Sequence, residues 1–216
     1  MALSTLAYVV VALLQRSTMS QQLETMRAQM SLQERPWISE DIGVAKTLSF
    51  DKELGTMNIN ILLKNTGHSV AINVHPFCKL VPEPVGPIGA NVGTVIGAVE
   101  QDVRGSLGDQ ADNDPEAGYT MFPDSTIRET DGVSISRQDV ANAIRSNTTK
   151  DARLHALLIC CVDYRFTFEF KTHHQSRRSY IFGVPGPFPG SWYGITPVGT
   201  INNLFLIPNF QGNVAE

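Results

Sequence analysis

The chain has 216 residues, 42% of them hydrophobic and 18% charged, which is enough for one globular domain with its own core plus an appendage. A formal net charge of −4 and a pI near 5.7, with no basic cluster, give no reason to expect a nucleic-acid partner. The three cysteines, two of them adjacent at Cys160 and Cys161, have the spacing of neither a disulfide framework nor a zinc site, so the redox compartment stays open.

The first 14 residues are apolar, and the first charge is Arg16. As a helix this run spans about 21 Å, against a hydrocarbon core of about 30 Å, so it is short for a transmembrane helix. We interpret residues 1–16 as a membrane-anchor helix, with a secretory signal peptide or a helix in the protein's own core as alternatives. Arg16 and Arg27 follow the run and no basic residue precedes it, so the positive-inside rule predicts a single-pass protein with a cytoplasmic β domain.

Residues 17–35 are predicted to form an amphipathic stalk helix. Met19, Leu23, Met26 and Met30 are spaced by four, three and four residues, as in the a/d pattern of a heptad. Fewer than two heptads make no stable coiled coil alone, but tethering to one membrane raises the effective concentration of neighbouring stalks. The pattern therefore predicts either a homo-oligomer through these four residues or a single juxtamembrane helix.

Residues 34–37, Glu-Arg-Pro-Trp, form the junction between helix and domain. Pro36 has no backbone N–H and disfavours helical geometry in the residue before it, so the stalk should end here. The domain is then residues 36–216. Trp37 lies on the strand face opposite Ile38 and Ile42, so we expect it to pack against loops at the end of the domain.

Beyond the junction the hydrophobic period becomes two, which predicts strands. The pattern predicts two half-buried strands joined by a tight turn at residues 65–69, so that they form one hairpin with Gly67 at the turn. The side chains expected on the core face are Met57, Ile59, Ile61 and Leu63 on the first strand and Val70, Ile72 and Val74 on the second.

Regular alternation fails over residues 82–118, a Gly-, Pro- and Asp-rich insert. Its apolar half has glycines four residues apart at Gly89, Gly93 and Gly97, but it is too short to span a membrane, so we interpret it as a segment packed on the domain. Its acidic half, residues 109–116, has oxygen ligands of the kind that calcium prefers. It lacks the order of a known calcium loop and is predicted to be a solvated loop.

Strand character resumes at residues 119–130, and Asp131 and Gly132 are predicted to form a turn. Ser136 precedes an apolar-periodic segment and is followed three residues later by Asp139. This spacing predicts a helix that is capped by Ser136 and ends near Asn147.

A long strand is predicted at residues 155–171. Its even-numbered side chains face the core and its odd-numbered ones form a polar face, so Cys160 is expected to be a buried apolar residue and Cys161 to lie among polar residues, which disfavours a catalytic dithiol. Aromatic residues at Tyr180 and Phe182 predict a second strand in the same hairpin. Residues 201–208 predict a final strand.

Signatures of chemistry are weak throughout the sequence. His173, His174 and Cys161, with His75 and the carboxylates of the insert, are weak candidate metal ligands, because no ligand pair at i, i+2 or i, i+4 has a third partner in view. No nucleophile elbow, phosphate-binding loop or zinc-protease helix is present in the sequence. We therefore predict no catalytic residue, no cofactor and no enzymatic activity.

Several segments together resemble a group of uncharacterised bacterial membrane-anchored proteins. They are the apolar N-terminal segment, the Gln-rich segment after it, residues 34–37, residues 63–71, and residues 161–164 before a His-containing hairpin. The resemblance implies an N-terminal membrane anchor followed by a soluble β domain, and it implies no activity.

The strand pattern favours a mainly β fold: an immunoglobulin-like antiparallel β-sandwich preceded by a long N-terminal helix, with a barrel as the alternative. We predict a membrane-tethered, non-enzymatic interaction or envelope-associated structural module with an unknown protein partner. The alternative hypothesis is a metal- or small-ligand-binding sensor domain on a membrane anchor.

Overall fold

The computed structural model describes residues 15–26, 29, 34–45, 47–83, 101–102, 105, 118–146, 153–166, 172–188 and 192–215. Gln101, Asp102 and Gly105 are helical. The other elements, in chain order, are α1 (15–26), β1 (Ile38–Val44), β2 (Leu48–Phe50), β3 (Leu54–Asn65), β4 (Ala71–Glu83), β5 (Tyr119–Met121), β6 (Thr126–Ser136), α2 (Arg137–Ser146), β7 (His155–Phe166), β8 (His174–Pro185), β9 (Trp192–Tyr193), β10 (Thr200–Ile201) and β11 (Phe205–Ala215).

The strands form two antiparallel sheets, which confirms the prediction of a mainly β, sandwich-like fold. In the first sheet β3 is central, with β6 along one edge and β1 and β2 in succession along the other, and β10 pairs with β2. The second sheet has the order β11-β8-β7-β4-β5, and β9 pairs with β8. The predicted hairpin of β7 and β8 is confirmed.

The core lies between the two sheets. On β3 the predicted face is confirmed, since Met57, Ile59, Ile61 and Leu63 are all buried. The even-numbered side chains of β7 face the same core and pack with Tyr180 and Phe182 of β8, as predicted.

The prediction that β3 and β4 form a hairpin is wrong. They belong to different sheets, and the loop between them crosses from one sheet to the other. Asn65 explains the difference, because its buried side chain bonds to main-chain groups of the loop and of β5 and holds the chain in the crossing path. A turn signal in the sequence therefore marked a change of sheet.

Two local predictions in the strands are also wrong. A bulge around Asn73, whose φ is 54°, shifts the register of β4, so that Val74 is buried as predicted but Ala71 is buried in place of Val70 and Ile72. Asp131 and Gly132 form no turn but continue β6, where they pair with Ile59 and Asn58.

The capped helix α2 is confirmed. Ser136 Oγ accepts a bond from the Asp139 N–H at 3.0 Å, as an N-cap side chain does, and donates to the Asp139 carboxylate at 2.6 Å. Val140 and Ala143 are buried against the core. Arg137 ties the start of α2 to the first sheet, since its main-chain N–H donates to Glu53 O and its side chain donates to Asp51 O.

The predicted final strand at residues 201–208 is divided into two strands. β10 pairs with β2 in the first sheet and β11 pairs with β8 in the second. Between them Asn203 has a φ of 58°, a left-handed geometry that turns the chain from one sheet to the other.

Of the long N-terminal helix that the sequence predicts, the continuous described part is α1, which is 12 residues long. Residues 1–14 and Met30 lie outside the described residues, as do Gly89, Gly93, Gly97 and the acidic residues 109–116 of the insert. Within the part of the chain that the structure describes, no helix combines the length and apolarity needed to cross a membrane.

Candidate functional site

Main-chain bonds fix the junction to one end of the sandwich. The carbonyl oxygen of Trp37 accepts hydrogen bonds from the Thr66 N–H at 2.8 Å and from Thr66 Oγ1 at 3.1 Å. The buried hydroxyl of Tyr164 on β7 donates to the Pro36 carbonyl at 3.2 Å. The junction is therefore held by the loop that connects the two sheets and by the second sheet.

Gly67 of the crossing loop lies directly against the main chain of the junction. A Cβ built on Gly67 would lie 2.5 Å from each of three main-chain atoms, Arg35 O, Pro36 Cα and Trp37 N. Main-chain atoms cannot rotate away as a flexible side chain can, so this position requires glycine because of the close approach.

Asn65 holds the crossing loop in the shape that receives the junction. Its Nδ2 donates to Ser69 O at 2.8 Å and to Met121 O at 3.0 Å, and its Oδ1 accepts from the Gly67 N–H at 3.0 Å. The side chain is completely buried, so these bonds replace water for every group involved.

Arg35 and Trp37 form the outer surface of the junction. The Arg35 guanidinium lies over the Trp37 indole, 5.0 Å from the ring centroid, which is a cation–π distance. Burial raises the pKa of the Tyr164 hydroxyl, and the positive charge of Arg35 opposes that rise in part. The prediction that Trp37 packs against loops holds only for its main chain, because 42% of its side-chain surface stays exposed.

A polar network lies near this end, on the outer face of the second sheet. The buried Asp163 carboxylate accepts from His173 Nδ1 at 2.8 Å and from Gln175 Nε2 at 3.2 Å. Arg165 donates to His173 Nε2 at 2.8 Å. Arginine can only donate, so Nε2 is the acceptor and the His173 proton lies on Nδ1. With both ring nitrogens engaged, this histidine is oriented by its neighbours and its Nε2 lone pair is occupied.

The structure separates the predicted metal ligands. His173 lies on the outer face of the second sheet, whereas His174 faces the core and packs its ring against Phe166 at 4.9 Å and Tyr164 at 5.8 Å. His75 pairs with Asp163 in the register of β4 and β7 and shares a hydrogen bond with Asn73. Among the described residues no three His, Cys, Asp or Glu side chains are grouped closely enough to hold a metal ion.

The prediction that Cys161 lies among polar residues is wrong. Cys161 is 98% buried in a second apolar cluster with Leu157 and Ile159. Partly buried Phe77, Val81 and Ile181 from the flanking strands pack against this cluster. The sequence signal was present, because residues 156–162 are an unbroken apolar run, which indicates a strand buried on both faces. On the same face of β4, Lys79 forms an ion pair with Asp102 of the insert.

Cys160 is buried as predicted, but as half of a disulfide with Cys78, which the cysteine spacing did not predict. The two residues are directly opposite each other in the register of β4 and β7, and both face the core. Their separation of 82 residues in the chain hid this relation, since nothing in the sequence paired these strands.

Glu40 is a buried acid that no motif in the sequence marks. It lies on the same face of β1 as Ile38 and Ile42, so its position in the strand alone places it in the core. It is 2% exposed, and neither carboxylate oxygen has a hydrogen-bond partner in the described structure. Burial raises the pKa of Glu40 to about 8, and the charge of Arg178 on β8 opposes this only in part. Glu40 is therefore a neutral carboxylic acid at pH 7.

Burial likewise raises the pKa of Tyr180, which lies near Glu40 across the core.

Protein-family models, curated proteins and solved structures were compared with the chain, and none matches it. Function is therefore inferred from the geometry of these residues.

Proposed function

We propose that the chain is a membrane-tethered, non-enzymatic interaction module, in which residues 1–16 anchor an immunoglobulin-like sandwich of the kind found in bacterial membrane-anchored proteins. The proposed function includes a structural role in the cell envelope. The observation that carries it is the apolar stripe of α1, formed by Met19, Leu23 and Met26, whose side chains are 63%, 55% and 62% exposed. Apolar side chains in heptad positions that the domain leaves uncovered fit contact with another helix or with lipid headgroups.

The fixed position of the junction supports the same function. Two hydrogen bonds to Trp37 O, one to Pro36 O and the close contact of Gly67 fix where the chain enters the domain. A rigid entry point holds the sandwich in a defined orientation relative to its tether. The exposed Trp37 ring with Arg35 above it adds a surface of the composition that protein interfaces favour.

The alternative function, a metal- or small-ligand sensor, has less support. His173 and His174 face opposite sides of the second sheet, and Cys161 is enclosed by apolar side chains. The polar network at Asp163 is satisfied by its own neighbours. We therefore favour the interaction module, with loops and hairpin tips at the ends of the sandwich as its contact surfaces.

The test uses the full chain in its native membrane fraction. We expect the wild-type chain to resist extraction with alkaline carbonate and to form cross-linked dimers or trimers in detergent. Replacing Met19, Leu23 and Met26 with serine should abolish the cross-links and leave membrane retention unchanged. A matched triple on the polar face, with Gln21, Gln22 and Thr25 replaced by serine, should behave as wild type.

Two results would count against the proposal. Release of the wild-type chain by carbonate would remove the tether. Cross-linking that survives in the first triple but is lost in the second would show that the stripe is not the contact surface.

A further inference from the structure

We infer from the Cys78–Cys160 disulfide that the β domain matures in an oxidising compartment, a periplasm or the cell exterior. The bond joins β4 to β7 near the middle of the second sheet, where the two residues face each other in register. Disulfides form and persist in such compartments and are rare where glutathione and thioredoxin keep thiols reduced. This orientation is opposite to the one that the charges at Arg16 and Arg27 predict.

The position of the bond indicates a structural disulfide. Both half-cystines are buried in the core between the sheets, so soluble reductants do not reach the sulfur atoms of the folded domain. Bond formation must therefore precede or accompany closure of the sandwich, and the oxidant must be present where the chain folds. A chain folded in a reducing cytosol would bury the two thiols before they could be oxidised.

The neighbouring thiol does not offer another route to this bond. Cys161 projects from the opposite face of β7, into the cluster with Leu157 and Ile159, so the strand itself separates its sulfur from the disulfide. Thiol–disulfide exchange requires direct attack of one sulfur on another. An intramolecular relay through Cys161 is therefore blocked, and the electrons must leave the protein.

The oxidation step balances with an external disulfide as the oxidant. One thiolate, from Cys78 or Cys160, attacks the disulfide of a thiol oxidoreductase and forms a mixed disulfide. The second thiolate then displaces the oxidoreductase, which leaves as a dithiol carrying the two electrons, while two protons are transferred in total. The required co-reactant is thus a disulfide-donating protein of the compartment.

Redox state is measured first, on the full wild-type chain in acid-quenched cells. Free thiols are blocked with a polyethylene-glycol maleimide under denaturing conditions, with and without prior reduction. We expect one modification without reduction, at Cys161, and three after reduction. A Cys78→Ala variant should give two modifications in both cases. Three modifications of the unreduced wild-type chain would overturn the inference.

Compartment is measured separately, with Ser134→Cys as the probe because Ser134 is exposed on β6. A membrane-impermeant maleimide applied to intact cells, with any outer membrane permeabilised, should label this variant and leave the wild-type chain unlabelled. Labelling that requires lysis of the inner membrane would overturn the inference. This inference rests on the proposed function only for the side of the membrane on which the domain lies. Carbonate extraction of the labelled protein tests the membrane tether independently.

Discussion

Tyr164 Oη lies 3.2 Å from the carbonyl oxygen of Pro36, across 128 residues of sequence. This bond joins the central region of the second sheet to the first residues of the domain. It links two segments that are distant in the sequence, residues 34–37 and 161–164. The loop after β3 meets the same junction through Thr66 and Gly67.

Tyr164→Phe removes this bond and leaves the Pro36 carbonyl without its donor. We expect the free energy of unfolding to fall by about 1–2 kcal/mol, since a buried hydrogen bond is lost and one partner remains. Urea denaturation followed by tryptophan fluorescence measures the change. Tyr193→Phe, at an exposed tyrosine, is the control and should shift the midpoint little. Equal midpoints for both variants would contradict the assignment.

Gly67→Ala places a methyl group within 2.5 Å of the junction main chain. We expect a loss of at least about 2 kcal/mol of stability, or release of the junction from the loop, because overpacking against a backbone cannot be relieved by rotation. Limited proteolysis near residue 36 distinguishes the second outcome. Gly43→Ala is the matched control, because nothing lies within 4 Å of a Cβ at that glycine. A Gly67→Ala protein as stable and as protease-resistant as the control would refute the packing argument.

Asn65→Ala leaves three main-chain groups of the crossing loop and β5 unbonded. We expect destabilisation of about 2–4 kcal/mol, since each buried group that loses its partner has a desolvation cost. Asn60→Ala serves as the control, because Asn60 is exposed and its Oδ1 accepts from Thr130 Oγ1 at the surface. Thermal unfolding measures both. A loss at Asn65 no larger than that at Asn60 would show that the loop does not depend on this side chain.

Glu40→Gln should change the pH dependence of stability. Glu40 titrates near 4.5 when unfolded and near 8 when folded, so between these values the folded state holds one more proton. Stability contributed by the neutral acid is therefore full below pH 4.5 and falls as pH rises to about 8. The glutamine variant should lose this slope and be the more stable protein at pH 8.5, as measured by thermal denaturation from pH 5 to 9. Parallel pH curves for variant and wild type would disprove the assignment, and Glu53→Gln, at an exposed acid, is the control.

Ser136→Ala removes the bonds that Ser136 Oγ makes with the main-chain N–H and the carboxylate of Asp139 at the start of α2. A loss of about 1 kcal/mol is expected, as for other N-cap serines. Ser134→Ala, two residues earlier on the exposed face of β6, is the control. Chemical denaturation of the two variants side by side gives the difference. No difference between them would mean that Arg137 and the buried face of the helix hold α2 without the cap.

Local patterns in the sequence predicted the elements well and their partners poorly. The buried face of β3, the cap at Ser136 and the β7–β8 hairpin follow from period, capping and short-range turn chemistry. The assignment of β3 and β4 to different sheets depends on what Asn65 bonds to, and one of its partners is the carbonyl of Met121, 56 residues away. No pattern in the sequence reports such a distant partner.

The candidate site divides in the same way. Residues 34–37 and 65–69 were recognised as a junction and a turn, but their mutual contact through Gly67 depends on the three-dimensional path of the loop. The disulfide was missed because the pairing of β4 with β7 was unknown. The separation of His173 from His174 was predictable from strand parity alone, since adjacent residues of a strand face opposite sides.

The bond between Tyr164 and Pro36 also constrains the order of events during synthesis. Residue 36 leaves the ribosome long before residue 164. The first segment of the domain therefore cannot form this bond until β7 has been synthesised. A nascent chain interrupted before β7 would carry a loose N-terminal segment and an unclosed first sheet. Attachment of the junction is thus a late event, and it reports that both sheets have come together.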